Sequence, residues 1–288
     1  MGEASKQSVR SPFADGALHR VLLLWAAPVL LTLGGCHTAD IASVPVPVPP
    51  TLLAYWTSES MRMDGQLQES VWAHAQAYPL SFSLADSPAA RPPTEAGTVR
   101  LAWDAECLYA AFEFQDSDVI EEGDADQLQQ QRTGDVAELF LKPVGASWYW
   151  EFHATPRSRH SAFFFPSRGR AGLPSNFDYQ LALETGARVE GTLNEWSDQD
   201  QGWTVEIAIP LRELTVQGHA FDPRSGYRVL AARYNYARIL PAPELSSAPR
   251  LPRTAFHDHD HYGILLFQDP SNGVGTTPRP SSANQKKL

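Results

Sequence analysis

From Thr98 onward the chain alternates between apolar and polar positions. Val99, Leu101 and Trp103 interleave with Thr98, Arg100 and Ala102. After a turn at Asp104 and Glu106, the apolar set Leu108, Ala110, Phe112 and Phe114 interleaves with Tyr109, Ala111, Glu113 and Gln115. A period of two sends successive side chains to opposite faces of a strand, so each segment shows one face to a core and the other to a different environment. Strand signals recur at 136–141, 148–155, 161–165, 179–184, 187–194, 203–209, 227–236 and 262–267. Between them, Asp64-Gly65 reads as a turn and 67–75 as a short helical turn with Trp72 facing inward. Residues 117–133 read as a long acidic loop, and 210–214 as one helical turn, because proline is tolerated at a helix start. Many short strands, few helices and frequent turn residues predict an all-β fold: an antiparallel β-sandwich with one or two short helical turns. The pattern leaves jelly-roll and immunoglobulin-like topologies both open.

Composition fits that picture. The chain has 288 residues, 43% hydrophobic and 10% aromatic, enough to bury a substantial core, and no internal repeat. Its net charge of −10, with Arg and Lys scattered, argues against nucleic acid as a partner. The amino end reads as targeting rather than fold. Lys6, Arg10 and Arg20 precede an apolar run at 21–33 that is shorter than the ~20 residues needed to span a bilayer. The run ends in Leu33-Gly34-Gly35-Cys36, which resembles the lipobox of bacterial lipoproteins. The resemblance implies cleavage before Cys36, lipidation of Cys36 and anchoring in the bacterial cell envelope. His37 in place of an aspartate points to the outer membrane. The alternative is an ordinary secretory signal with Cys36 incidental. Residues 1–36 are thus read as a signal peptide, 37–52 as a tether held extended by alternating prolines, 53–268 as one folded domain and 269–288 as a disordered tail. Cys107, left without a partner for an internal disulfide, reads as a small buried hydrophobe.

Chemistry enters through side chains that share a face. Around 136–141, Ala137, Leu139 and Leu141 alternate with Val136, Glu138 and Phe140; around 148–155, Trp148, Trp150, Phe152 and Ala154 alternate with Tyr149, Glu151, His153 and Thr155. A carboxylate in an apolar strand is costly unless paired or wet, so Glu138 either sits solvated at a sheet edge or lines a cleft. Glu138, Glu151, His153 and Tyr149 could meet on one face. Rings flanked by hydrogen-bonding groups suit a sugar, which offers a flat C–H face and a rim of hydroxyls. A solvated face carrying scattered Tyr and Glu is the plainer alternative.

Asp64-Gly65, Glu69 and Trp72, the run Val99-Arg100-Leu101-Ala102-Trp103-Asp104 and Leu108-Tyr109 open a longer ordered series. Gly134-Asp135-Val136-Ala137-Glu138-Leu139-Phe140-Leu141, Gly202-Trp203-Thr204-Val205-Glu206-Ile207-Ala208-Ile209-Pro210 and Phe256-His257-Asp258 with Tyr262-Gly263 complete it. Together they resemble the family 9 carbohydrate-binding modules and their wider DOMON-related set. The resemblance implies a β-sandwich with a non-catalytic sugar site on a concave sheet face. It aligns the acidic cleft residue with Glu138, Asp135 three positions earlier, and a basic cleft residue with His153. The two clamping aromatics fall at Arg132 and at Phe256, beside His257. Ligand-binding residues are therefore expected at Arg132, Asp135, Glu138, His153, Phe256 and His257, with an oligo- or polysaccharide as the partner; Arg132 and His153 would suit an acidic sugar such as a uronate better than a neutral one. Trp148, Trp150 and Trp196 are available as substitute rings. Family members also carry structural calcium, for which Asp116, Asp118, Glu121, Glu122, Asp124 and Asp126 are candidates, although they lack EF-hand spacing. A solvated charged loop is the alternative.

Three other readings follow from local pattern. If extended, His257-Asp258-His259-Asp260-His261 puts three imidazoles on one face, where a metal could bind. A haem-binding DOMON-like domain would need a ligand such as Met61 or Met63. No G-x-S-x-G, P-loop or H-E-x-x-H motif is present. A glycosidase pair would have to be Glu138 with Glu206. The expected role is therefore capture of polysaccharide by an envelope lipoprotein, and the runner-up is a sandwich that has lost sugar binding and serves protein interaction.

Overall fold

The computed structural model describes residues 49–167, 181–215, 221–268 and 270–272. The chain divides into two units, 1–46 and 47–288, and the described residues belong to the second. Cys36, the signal segment, most of the tether and residues 273–288 lie outside them.

Among the described residues, twelve strands form one hydrogen-bonded ladder. In chain order they are β1 (Thr51–Trp56), β2 (Tyr78–Pro79), β3 (Gly97–Trp103), β4 (Cys107–Gln115), β5 (Val136–Pro143), β6 (Tyr149–Ala154), β7 (His160–Phe165), β8 (Glu184–Glu190), β9 (Gly202–Pro210), β10 (Tyr227–Asn235), β11 (Glu244–Ala248) and β12 (Gly263–Phe267). The lateral order is β7-β6-β5-β10-β12-β1-β3-β4-β9-β8, with β2 beside β3 and β11 beside β10. β1 runs parallel to both β12 and β3; the other pairings are antiparallel.

The ladder doubles over on itself. Ala137, Leu139 and Leu141 of β5 and Trp150 and Phe152 of β6 share one buried cluster with Val99, Leu101, Phe112, Val205 and Ile207 of β3, β4 and β9. Those are the inward sets read from the alternation, so the two halves face each other as a sandwich, joined through β1 and β12. Truncating one such side chain, as in Leu139→Ala, removes buried apolar area and leaves a cavity, a loss of ~2–5 kcal/mol.

Each outer face is covered differently. Over β3, β4 and β9 lies α1 (Ser70–His74), whose Val71 and Trp72 pack on Tyr109, Ala111 and Ala208. Glu206 points outward here and latches the covering segment: Oε2 accepts the Gly65 N–H at 2.9 Å and Oε1 the Trp72 indole N–H at 2.9 Å. Over β5, β6 and β10, Leu251, Phe256 and Tyr262 pack on Phe140, Tyr149 and Leu230. Glu138 and Glu206 therefore stand on opposite outer faces and cannot flank one glycosidic bond.

β1, β2 and β11 escape the alternation rule. β1 is apolar on both faces, with Leu52 and Ala54 buried and Leu53, Tyr55 and Trp56 half-buried between two parallel neighbours; β2 is two residues long. β11 buries Ser246 and Ser247 through ladder pairing rather than hydrophobicity. Residues 181–183, expected as strand, are not; the strand begins at Glu184.

Candidate functional site

The β5–β6 register sets Glu138 directly opposite His153. Glu151, two residues before His153, shares its face. All three project from the sheet into the cover rather than into the core. The His153 Nε2 lies 3.1 Å from Glu138 Oε1 and 2.6 Å from Glu151 Oε1. Their exposures are 0% for His153, 2% for Glu138 and 5% for Glu151. Burial by itself lowers the His153 pKa, but the Glu138 charge and hydrogen bonds to both carboxylates outweigh it and push it up to about 10. Burial raises the Glu138 carboxyl, and the neighbouring imidazole only partly offsets that.

Above this trio is a hollow of about 230 Å³ lined by Glu138, Phe140, Glu151 and Tyr234 from the sheet, Leu245 from β11, Gln131, and the segment Thr254, Ala255, Phe256 and His257. Tyr234 reaches it because β10 pairs with β5 and exposes Tyr234 on the same face as Ala232, which lies opposite Glu138. The Phe256 and Tyr234 rings meet edge to face at 5.7 Å. His257 is held by the Tyr149 hydroxyl, 2.8 Å from Nδ1, and the same Nδ1 lies 3.9 Å from Glu151 Oε2.

Of the residues expected from sequence, Glu138, Phe256 and His257 line the hollow, and His153 sits against Glu138 beneath it. Arg132 does not line it. It is exposed at the end of a 3-10 turn (Gln130–Arg132), and its neighbour Gln131 faces the hollow instead. Such a turn rotates ~120° per residue, so one position decides which side chain points in. Asp135 is fully buried and bound to backbone: Oδ2 accepts the Ile120 N–H at 2.8 Å and Oδ1 the Tyr236 N–H at 2.7 Å. It ties the acidic loop to the end of β10 and so supports the hollow from behind. Gly134 permits that approach, since a Cβ there would meet the Ile120 carbonyl oxygen at 2.2 Å.

The substitute rings lie elsewhere. Trp150 is core, Trp148 packs against it at 4.9 Å, and Trp196 is 74% exposed away from the hollow. Tyr234 and Leu245 were missed. The alternation of 227–236 carried a signal for Tyr234; nothing in the pattern of β11 did for Leu245.

Acidic residues proposed for calcium go to separate partners. Asp116 pairs with Arg233 at 2.8 Å, Asp118 with Arg238 at 2.9 Å, and Glu121 accepts the Gly123 N–H at 2.5 Å. The histidine run is not extended: His259–His261 close a 3-10 turn, Asp258 accepts from His261 at 2.9 Å, and of the three imidazoles only His257 lines the hollow. Met61 and Met63 pack with the α1 cluster on the opposite outer face. Among the described residues, Glu138, Glu151 and His153 are the group of three His, Cys, Asp or Glu whose ligand atoms come within 4.8 Å of one another.

The sequence profile described as carbohydrate family 9 binding domain-like matches residues 63–229. Among solved structures, the chain is similar to a candidate carbohydrate-binding protein from Bacteroides uniformis, at 16% identity and a TM-score of 0.58, covering 76% of this chain and 100% of that one. It is also similar to a family 9 carbohydrate-binding module from Caldicellulosiruptor kristjanssonii. The cellotriose complex aligns at 12% identity and a TM-score of 0.50 over 79% of this chain, the glucose complex at 12% and 0.51 over 78%, each with all of the other chain covered. Among curated proteins there is no significant sequence match.

Proposed function

Because this chain belongs to the carbohydrate family 9 binding domain-like family, we propose that the hollow between Glu138, Tyr234, Phe256 and His257 binds carbohydrate without cleaving it. The observation that carries this reading is the convergence of the Phe140, Tyr234 and Phe256 rings and two carboxylates on one concavity. The rings offer an apolar surface to sugar C–H groups and the carboxylates accept hydroxyl hydrogens. At about 230 Å³ the hollow is smaller than the ~300–1,000 Å³ typical of drug-sized sites, which suits a single terminal ring. Among the described residues, its lining has two glutamates and neither Arg nor Lys. That charge favours a neutral sugar over a uronate, for which Arg132 lies outside the lining. We further propose that the domain is carried on the bacterial envelope through lipidated Cys36, holding glycan near the cell for degradation.

Affinity electrophoresis and calorimetry with glucose, cellotriose, other neutral oligosaccharides and uronate oligomers test the assignment. Retention on neutral glycans, weakened by Phe256→Ala, is expected. Absence of retention on every glycan, with the protein folded, would overturn it and favour the protein-interaction reading.

A further inference from the structure

We propose that Glu138, Glu151 and His153 form a binding site for one divalent first-row transition ion, open to the hollow above it. The sheet builds the site: cross-strand register places Glu138 against His153, and the two-residue step along β6 brings Glu151 beside both. The three ligand atoms already converge, with the imidazole Nε2 3.1 and 2.6 Å from the two carboxylate oxygens. Around a tetrahedral ion with bonds of about 2.0–2.2 Å, ligand atoms stand about 3.3–3.5 Å apart. Making room for an ion therefore means widening the Glu138 separation by roughly 0.2–0.4 Å and the Glu151 separation by roughly 0.7–0.9 Å, and the ion replaces the proton now shared on Nε2.

Partnering in the cluster is incomplete. Oε2 of Glu151, a residue 5% exposed, accepts no hydrogen bond from any described residue, and His257 Nδ1, 3.9 Å away, lies beyond hydrogen-bond reach. A buried ion pair built only for stability requires its remaining lone pairs to be satisfied. A bound cation would relieve this unpartnered oxygen. Nδ1 of His153 also has no hydrogen-bond partner among the described residues. One imidazole with two carboxylates suits zinc, manganese or iron(II) better than calcium or magnesium, which take all-oxygen shells. Glu138 and Glu151 line the hollow, so the ion has an entry path and a coordination position left for water or His257. The inference does not depend on sugar binding.

The test is calorimetric titration of zinc chloride into untagged, metal-stripped full-length protein without glycan, paired with cobalt(II) absorption. One zinc per chain, visible cobalt bands and a rise in Tm on zinc addition are expected. Glu151→Gln and His153→Gln should each weaken zinc binding about 100-fold or more. His259→Gln with His261→Gln, in the 3-10 turn outside the lining of the hollow, should leave it unchanged. Glu151→Gln is nearly isosteric and decides the matter if the His153 variant does not fold. Absent or substoichiometric binding, or an affinity lost with the His259 and His261 changes but kept in Glu151→Gln, would overturn the site.

Discussion

Residues on this sheet act according to the face they occupy, and two sets of substitutions separate the roles. Phe256 and Tyr234 meet edge to face at the hollow, whereas Arg132 is exposed outside its lining. Phe256→Ala and Tyr234→Ala are expected to weaken glycan binding about tenfold or more each, ~1.4 kcal/mol, and Arg132→Ala to leave it within error, measured by calorimetry. Glu206 lies on the opposite outer face. Burial raises its carboxyl to about 7, despite the N–H groups that bind it, from an ordinary value near 4.5. A raised folded-state pKa means the native protein holds the proton more tightly than the unfolded chain. The stability it contributes is complete below pH ~4.5 and is lost as pH rises to ~7. Chemical denaturation from pH 4.5 to 7.5 should show Glu206→Gln with a shallower fall in stability than wild type. Asp116, raised to about 6 by burial against the opposing pull of Arg233, leaves a residual slope in the same direction.

At the scale of elements, the Asp135 hinge joins the acidic loop to β10. Its two oxygens accept two backbone N–H groups. Asparagine turns one acceptor into a donor and leaves one of those N–H groups unpaired, so Asp135→Asn should lower unfolding free energy by ~1–3 kcal/mol. The same change should weaken glycan binding through displacement of Gln131, although Asp135 never touches the hollow. Denaturant melts and calorimetry on that variant check both effects. The strands around this hinge were legible because half-buried strands alternate. Glu138, Glu151 and His153 were legible as one face for the same reason. β1 and β11 were not, because a strand apolar on both faces and a serine-rich strand held by its ladder show no polar–apolar period of two. The 3-10 turn hid a further detail: rotation about a short helix, invisible to composition, selected Gln131 over Arg132.

For the whole molecule, the envelope proposal rests on Cys36. Cys36→Ser should abolish incorporation of labelled palmitate and move the protein from the membrane to the soluble fraction, and an unchanged distribution would oppose anchoring. The sequence by itself determined the all-β class, the inward and outward sets of most strands and the acid–imidazole face, since each follows from local periodicity and side-chain chemistry. Only the tertiary structure decided that β1 closes the sandwich by running parallel to both neighbours, that Phe256 and His257 meet Tyr234 over the carboxylates, and that Glu138 and Glu206 stand on opposite outer faces. These are juxtapositions of residues far apart along the chain, set by how the ladder doubles over, and no local pattern encodes them.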